Sequence, residues 1–393
     1  MLYMLPPRTP VLIDHNKLPR YWAAVWSLLH GGGLAEQTLL RKLRHIDALY
    51  VHAESLQTNL DDVFSALNVD ALDSTLESFF ICLKNSPEPS SQVLARWNSA
   101  FHFVRDTCTR IAKNPAVRLS LEEVHAKVTR LDKLYMGLHP RRKTHQSKVR
   151  AIPRNVISEM LDIVTPGASV NPFLGEATQW RVFCLVALLL YQGLRRGEAL
   201  VLRANSLVAQ RDARTGRLFW VLQIPNNAPD DDPRAEAPSL KTVDSVRAIP
   251  VTQVTAEVIQ TYLESYRGKT NHPYLLSSIR RQPLSLEGVS KVLQKLTGSL
   301  SKAARDELYT LTGAGYLTAH ALRHTCAVVR MKQLIASGSS PDQAMAQLRS
   351  FFGWSKTSVM PLHYAKAALD ERLNETWNDK LDDRLSLLRA LPQ

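Results

Sequence analysis

Apolar residues recur at helical spacing through most of the chain. In residues 17–136, Trp22, Val25, Trp26, Leu28 and Leu29 share one face, and Leu39, Leu40, Leu43, Ile46 and Leu49 another. Val63, Phe64 and Leu67 follow, then Leu76, Phe79, Phe80 and Cys82. Two more helices are predicted over 96–112 (Trp97, Phe101, Val104, Cys108, Ile111) and over 121–134. Gly31-Gly32-Gly33, the run Asn85 to Ser91 and Asn114-Pro115 are breaks between them. This pattern predicts a compact module of four or five helices, and no catalytic constellation stands out in it.

From residue 155 the pattern is mixed. Helices are predicted over 155–164, 177–191, 255–266, 285–296, 320–337 and 341–352, with an amphipathic segment over 365–391. RLFWVLQI (217–224) and SVRAIPV (245–251) are rich in strand formers, and the stretch between them is rich in Pro, Asp and Asn. They read as a hairpin with an extended connection. The fold class is therefore mainly α with a small β-hairpin or sheet (α+β). It divides into a helical domain over 1–136, a linker over 137–154, and a second domain over 155–393 with a helical tail.

Composition narrows the function. The chain has 393 residues, 45% hydrophobic and 22% charged, which excludes disordered and collagenous chains. The longest apolar run, Val182 to Tyr191, is about half of the roughly 20 residues that a spanning helix needs. The N-terminus lacks a basic-then-apolar signal pattern, so a cytoplasmic protein is expected. Cys82, Cys108, Cys184 and Cys326 sit without C-x-x-C pairs in apolar surroundings and read as buried reduced thiols.

Charge changes the picture further. Lysines and arginines exceed acids by 13, with a pI near 9.6, which suggests a polyanionic partner. Six of these charges lie in residues 137–154 with no acid among them: Arg141, Arg142, Lys143, Lys148, Arg150 and Arg154. That stretch is expected to run as a strap along a phosphate backbone.

Candidate chemistry gathers in the second domain. Arg195 lies in GLRRGEAL after a buried helix, and Lys241 in SLKTVDSVRAIPV before the second strand. HALRHT places His320, Arg323 and His324 at i, i+3 and i+4, on one helix face. Trp354 follows Phe352-Gly353, and Tyr364 lies in MPLHYAKA. Arginine forks match phosphate oxygens in two-point contacts, so Arg195 and Arg323 suit a phosphodiester.

Together these segments resemble the tyrosine recombinase family, the phage integrase-type site-specific recombinases. GLRRGEAL is similar to the family's first arginine box and HALRHT to its His-x-x-Arg box, and the helical first half looks like its core-binding domain. The resemblance implies a recombinase that cuts and rejoins DNA through a 3′-phosphotyrosyl intermediate, without metal, ATP or other cofactor. Tyr364 would be the nucleophile and Lys241 would protonate the departing 5′-oxygen. His320 would bind the phosphate or assist proton transfer, and Trp354 would stand where many relatives have histidine. It further implies double-stranded DNA with paired recognition sites, a dimer on a site and a tetramer in the synapse, with partner recombinases possible. The host setting would be a bacterial nucleoid, a phage or a mobile element. The tail, with Leu369, Leu373, Trp377, Leu381, Leu385 and Leu388, is expected to dock on a neighbouring protomer, the alternative being that it folds back on its own domain.

Several details remain expectations of their own. His324 reads as a brace within its helix and Glu198 as a buried arginine partner. Pro361, inside a long interval before Tyr364, predicts a looped or bulged tyrosine segment. Asp230-Asp231-Asp232 reads as a solvated run rather than a metal site. The alternatives to a recombinase are a type IB topoisomerase, with a similar residue set, and a DNA-binding accessory protein without catalysis.

Overall fold

The computed structural model describes residues 9–34, 36–87, 90–113, 126, 129–130, 151–225, 232–234, 237–238 and 245–365. The chain divides into two compact units, 1–144 and 145–393.

The first unit holds α1 (Tyr21–Gly31), α2 (Glu36–Ser55), α3 (Leu60–Ser65), α4 (Val69–Lys84) and α5 (Ser90–Ala112). Its core collects Trp26 of α1, Leu43 and Ile46 of α2, Phe64 of α3, Leu76 of α4 and Phe103 of α5. Phe103 is the hub, meeting Trp26 and Phe64 edge to face, a favoured arrangement of ring quadrupoles. The start of α1 lacks a side-chain cap of its own. Asp61 of α3 supplies it, accepting from the backbone N–H of Tyr21 and Trp22 while Tyr50 donates its hydroxyl at 2.7 Å. The predicted helix over 121–134 falls largely outside the described residues.

The second unit is built around α7 (Glu176–Leu190), whose residues Val182 to Leu190 are buried on nearly every side, as befits a helix apolar all round. Around it stand α6 (Arg154–Val164), α8 (Arg196–Val201), α9 (Gln253–Thr261, continued by one π-helical turn Tyr262–Tyr266), α10 (Leu286–Ser299) and α11 (Lys302–Thr312). Then come α12 (Ala319–Ala336), α13 (Pro341–Phe352) and a short helical turn over 360–365. The sheet is antiparallel, in order β1 (Leu207–Arg211), β2 (Leu218–Ile224), β3 (Arg247–Val251).

The predicted strands pair as expected, Leu222 opposite Ile249. The sheet gains β1, which the sequence pattern does not announce because only its first residues are partly buried. The turn DARTGR closes the β1–β2 hairpin: Asp212 accepts from the backbone N–H of Arg214 and Thr215, and Gly216 takes φ +70°.

Three expectations are corrected. Cys82 is exposed on α4, since the apolar stripe of that helix runs through Phe79, Phe80 and Leu83 instead; the other cysteines are buried. Asp232 is buried rather than solvated, because Arg234 doubles back to pair with it at 2.5 Å. Tyr364 lies in a helical turn: the extra length is taken up as loop over 354–359, and Pro361 falls in the first turn, where a missing N–H costs nothing.

Candidate active site: three arginines, one carboxylate and a buried tyrosine

The site begins where α7 ends. Gly193 takes φ +57°, and any side chain there would lie 2.5 Å from the Phe352 ring and 3.0 Å from Cys326 Sγ. Glycine lets the end of α7 pack against α12 and α13 and aims its carbonyl at Arg323. Arg195 follows, with its backbone N–H donating to Glu198 at 2.8 Å, so that Glu198 also secures the start of α8.

Glu198 is 1% exposed and accepts from three guanidinium groups. Arg195 reaches it at 2.5 Å, and Arg247 of β3 and Arg323 of α12 each at 3.2 Å. Burial pushes its carboxyl up, but Arg323, Arg247 and Arg195 override this and hold it below the usual carboxylate range. The expected arginine partnership of Glu198 is thus present, with three arginines.

The same arginines finish a helix. The last carbonyls of a helix lack intrahelical donors. Arg247 donates to the carbonyl of Phe351 at 2.7 Å, Arg323 to Phe352 at 2.6 Å, and Arg195 to Gly353 at 3.4 Å. Three cations therefore sit at the negative end of α13. Gly353 takes φ +58° as its left-handed cap.

Arg323 is held most tightly. It also donates to the Gly193 carbonyl at 2.7 Å, and its guanidinium lies 4.8 Å from the Phe352 ring centre and 5.7 Å from that of Trp354. Burial, with Arg195 and Arg247 adding to it and Glu198 opposing, lowers its pKa to about 9, which leaves it cationic at neutral pH.

Trp354 stacks between Phe352 (4.7 Å) and Tyr364 (5.4 Å), and its indole N–H has no hydrogen-bond partner among the described residues. Tyr364 is 1% exposed. Burial raises its phenol, only partly offset by Arg323. Its hydroxyl lies 2.5 Å from His324 Nδ1, and His324 Nε2 lies 2.6 Å from Nε2 of the exposed His320. His324 is more than an internal brace of α12: it bridges the tyrosine and His320. His363, beside the tyrosine, is exposed.

The structure thus gathers Arg195, His320, Arg323, Trp354 and Tyr364. Lys241 lies outside the described residues, as do Arg141, Arg142, Lys143, Lys148, Arg150 and the tail beyond Ala365. Arg154 is exposed at the start of α6. Arg247 is the residue that sequence reasoning missed. Its one signal is a charge inside a strand-forming run next to the Lys241 segment. Among the described residues no group of three or more His, Cys, Asp or Glu side chains could hold a metal, and no helix is long and apolar enough to cross a membrane.

A helical protein with a small antiparallel sheet and an arginine–histidine–tyrosine centre has the form of the tyrosine recombinases. Residues 150–370 match the family model described as the phage integrase family. That span is more than half of the chain, and the chain belongs to this family, whose members cut and rejoin DNA. No curated protein matches the chain. Among solved structures it is similar to XerA recombinase, at 14% identity over 91% of this chain and 96% of that one, with a TM-score of 0.37. The XerH site-specific recombinase in a post-cleavage complex with palindromic difH substrate is similar at 12% identity, over 94% and 90%, with a TM-score of 0.43. A lambda integrase dimer bound to a COC′ core site is similar at 14%, over 88% and 94%, with a TM-score of 0.44.

Proposed function

We propose that Tyr364 of this recombinase attacks a DNA phosphodiester held by Arg195 and Arg323. The observation that supports this reading best is the convergence of both guanidinium groups and the tyrosine around Glu198 and the end of α13. Among the described residues, one carboxylate offsets one of three guanidinium charges and leaves two positive charges at the centre. A phosphodiester carries one negative charge and develops a second as an oxygen adds to phosphorus, so the surplus favours the transition state over the ground state.

In this reading Arg195, partly exposed at 24% of its side chain, and Arg323 beneath it bind the two non-bridging oxygens. The Tyr364 oxygen bonds to phosphorus and the bond to the 5′-oxygen breaks. Lys241 supplies the proton to that oxygen. His320 and the indole N–H of Trp354 add hydrogen bonds to the phosphate. Because Tyr364 is buried, the 360–365 turn must shift when DNA binds before its oxygen meets phosphorus. The 3′-phosphotyrosyl ester retains the energy of the broken bond, so a new 5′-hydroxyl can reverse the step on another strand without ATP.

The substrate of the proposal is duplex DNA with paired sites, engaged by a dimer on each and a tetramer in the synapse, in the cytoplasm or nucleoid. Residues 137–154 run along the backbone between a first domain over 1–136 and a catalytic domain over 155–393, and the tail docks on a neighbouring protomer. The test incubates the purified protein, without added metal, with supercoiled plasmid and with the DNA that flanks its own gene. The expected result is a denaturation-resistant protein–DNA adduct at one discrete sequence, abolished by Tyr364→Phe. An adduct that survives this substitution removes Tyr364 as nucleophile. Adducts scattered along any DNA, with plasmid relaxation, replace recombination by topoisomerase action.

A further inference from the structure

Attack by Tyr364 requires its phenolic proton to go somewhere, and the arginines cannot take it. Burial keeps the phenol protonated in the resting protein, so the hydroxyl has a hydrogen to give across its 2.5 Å contact with His324 Nδ1, and the relay described below takes it as the donor there. That fixes the tautomer of His324: Nδ1 accepts, and the ring hydrogen is on Nε2. The Nε2–H then points at His320 Nε2, 2.6 Å away, with the rings edge to face at 4.0 Å. His320 accepts there and carries its own hydrogen on Nδ1. The two imidazoles lie one helical turn apart on α12, so the backbone of the helix fixes their spacing.

We propose that His324 is the base for Tyr364 and passes the proton through its ring to His320. The step rests on the role of Tyr364 proposed above. The phenolic O–H bond breaks as the oxygen bonds to phosphorus, and the proton joins His324 Nδ1. The hydrogen on His324 Nε2 moves to His320 Nε2. His324 ends neutral with its tautomer reversed, and His320 ends as an imidazolium. The positive charge thus leaves the buried ring for the exposed one, which is also the ring that binds the phosphate in the proposed mechanism. A direct transfer that stopped at His324 would leave an imidazolium between Arg323 and Tyr364, in a setting that disfavours it. Burial, His320 and Arg323 lower the pKa of His324 to about 4, so it is neutral and able to accept at physiological pH. The groups facing it are His320 and Arg323 from its own helix and Tyr364 from the 360–365 turn.

The test measures the rate of covalent adduct formation on the same flanking DNA, from about pH 5 to pH 8, for wild type, His324→Gln, His324→Ala and the double variant His320→Ala/His324→Ala. A base of this kind contributes about 10²-fold or more. His324→Gln is expected to lose that factor with DNA affinity retained, and its residual rate should climb with pH beyond the range where wild type levels off. Added imidazole should restore part of the rate of His324→Ala. The double variant should be slower than His324→Ala only by the loss of the His320 contact to the phosphate, because a relay is broken once. A His324→Gln rate equal to wild type overturns the proposal, and so does a slow rate that neither changes its pH profile nor responds to imidazole. If wild type itself forms no Tyr364-dependent adduct, the reading of Tyr364 fails instead. Nitrogen NMR of histidine-labelled wild type without DNA gives a check free of variants. At neutral pH His324 should carry its hydrogen on Nε2, and a hydrogen on Nδ1 would sink the relay.

Discussion

Among the described residues, Glu198 is the one carboxylate that lets Arg195, Arg247 and Arg323 share a site. Its folded pKa is depressed below the ordinary 4.5, so its contribution to stability is full at neutral pH and is lost as pH falls through that depressed value. Glu198→Ala would leave three guanidinium groups without their counter-charge, two of them on side chains only 8% and 5% exposed. Removing one partner of such a buried set costs about 3–5 kcal/mol, to be read from denaturant unfolding at neutral pH. Glu198→Gln keeps the shape and should lose less. The gap between wild type and Glu198→Gln should begin to narrow below pH 4.5 and close only below the depressed pKa, where the native carboxyl also becomes neutral. A Gln variant as stable as wild type at neutral pH would show that the charge is dispensable. In the sequence, the proximity of Glu198 to Arg195 in GLRRGEAL discloses one of these pairs. The other two join residues far apart in the chain, which no local pattern encodes, and Arg247 stayed hidden for that reason.

At the scale of elements, apolar spacing marked the helices whose buried stripe is wide, such as α7, α12 and α13. It did not mark α11, where Ala304 and Leu308 are the buried pair in eleven residues, nor β1. The connection between β2 and β3 reads as a polar loop, and composition alone cannot show that part of it is a plug. Asp232 and Arg234 form a buried pair, and Arg234 also donates to the carbonyls of Leu200 (3.2 Å) and Leu284 (2.9 Å) and lies 4.4 Å from the Tyr274 ring centre. This pins the connection to α8 and to the segment before α10, with Arg234 seven residues ahead of Lys241 in the chain. Arg234→Met removes the counter-charge of a carboxylate whose side chain is fully covered and leaves it the Tyr274 hydroxyl as a partner, and about 3–5 kcal/mol of stability should be lost. Adding Asp232→Leu should restore most of it, since an apolar pair can replace an ionic one nearly without cost. A double variant no better than Arg234→Met in denaturant melts would mean that the contacts to the carbonyls, rather than the ion pair, hold the plug.

The whole molecule poses a problem of charge. Residues 1–136 carry 15 basic and 14 acidic groups, so the first domain of the proposal has almost no excess with which to hold a polyanion. Residues 137–154 carry six basic groups and no acid, nearly half of the surplus of 13 in eighteen positions. If that stretch follows the backbone, each phosphate it neutralises releases a counterion and adds about 0.9 to the steepness of log affinity against log salt. Replacing Arg141, Arg142, Lys143, Lys148 and Arg150 by Gln in the full chain should then flatten the slope by up to about 4.5 units, measured by fluorescence anisotropy on duplex DNA between about 50 and 200 mM salt. The loss should be similar on any duplex, because phosphate contacts position a protein without reading its sequence. A denaturant melt equal to that of wild type is the control, because it ties the change in slope to the lost charges rather than to lost folding. An unchanged slope would move the electrostatic hold on DNA to the 28 basic groups of residues 155–393, and with it the task of keeping the first domain on the duplex.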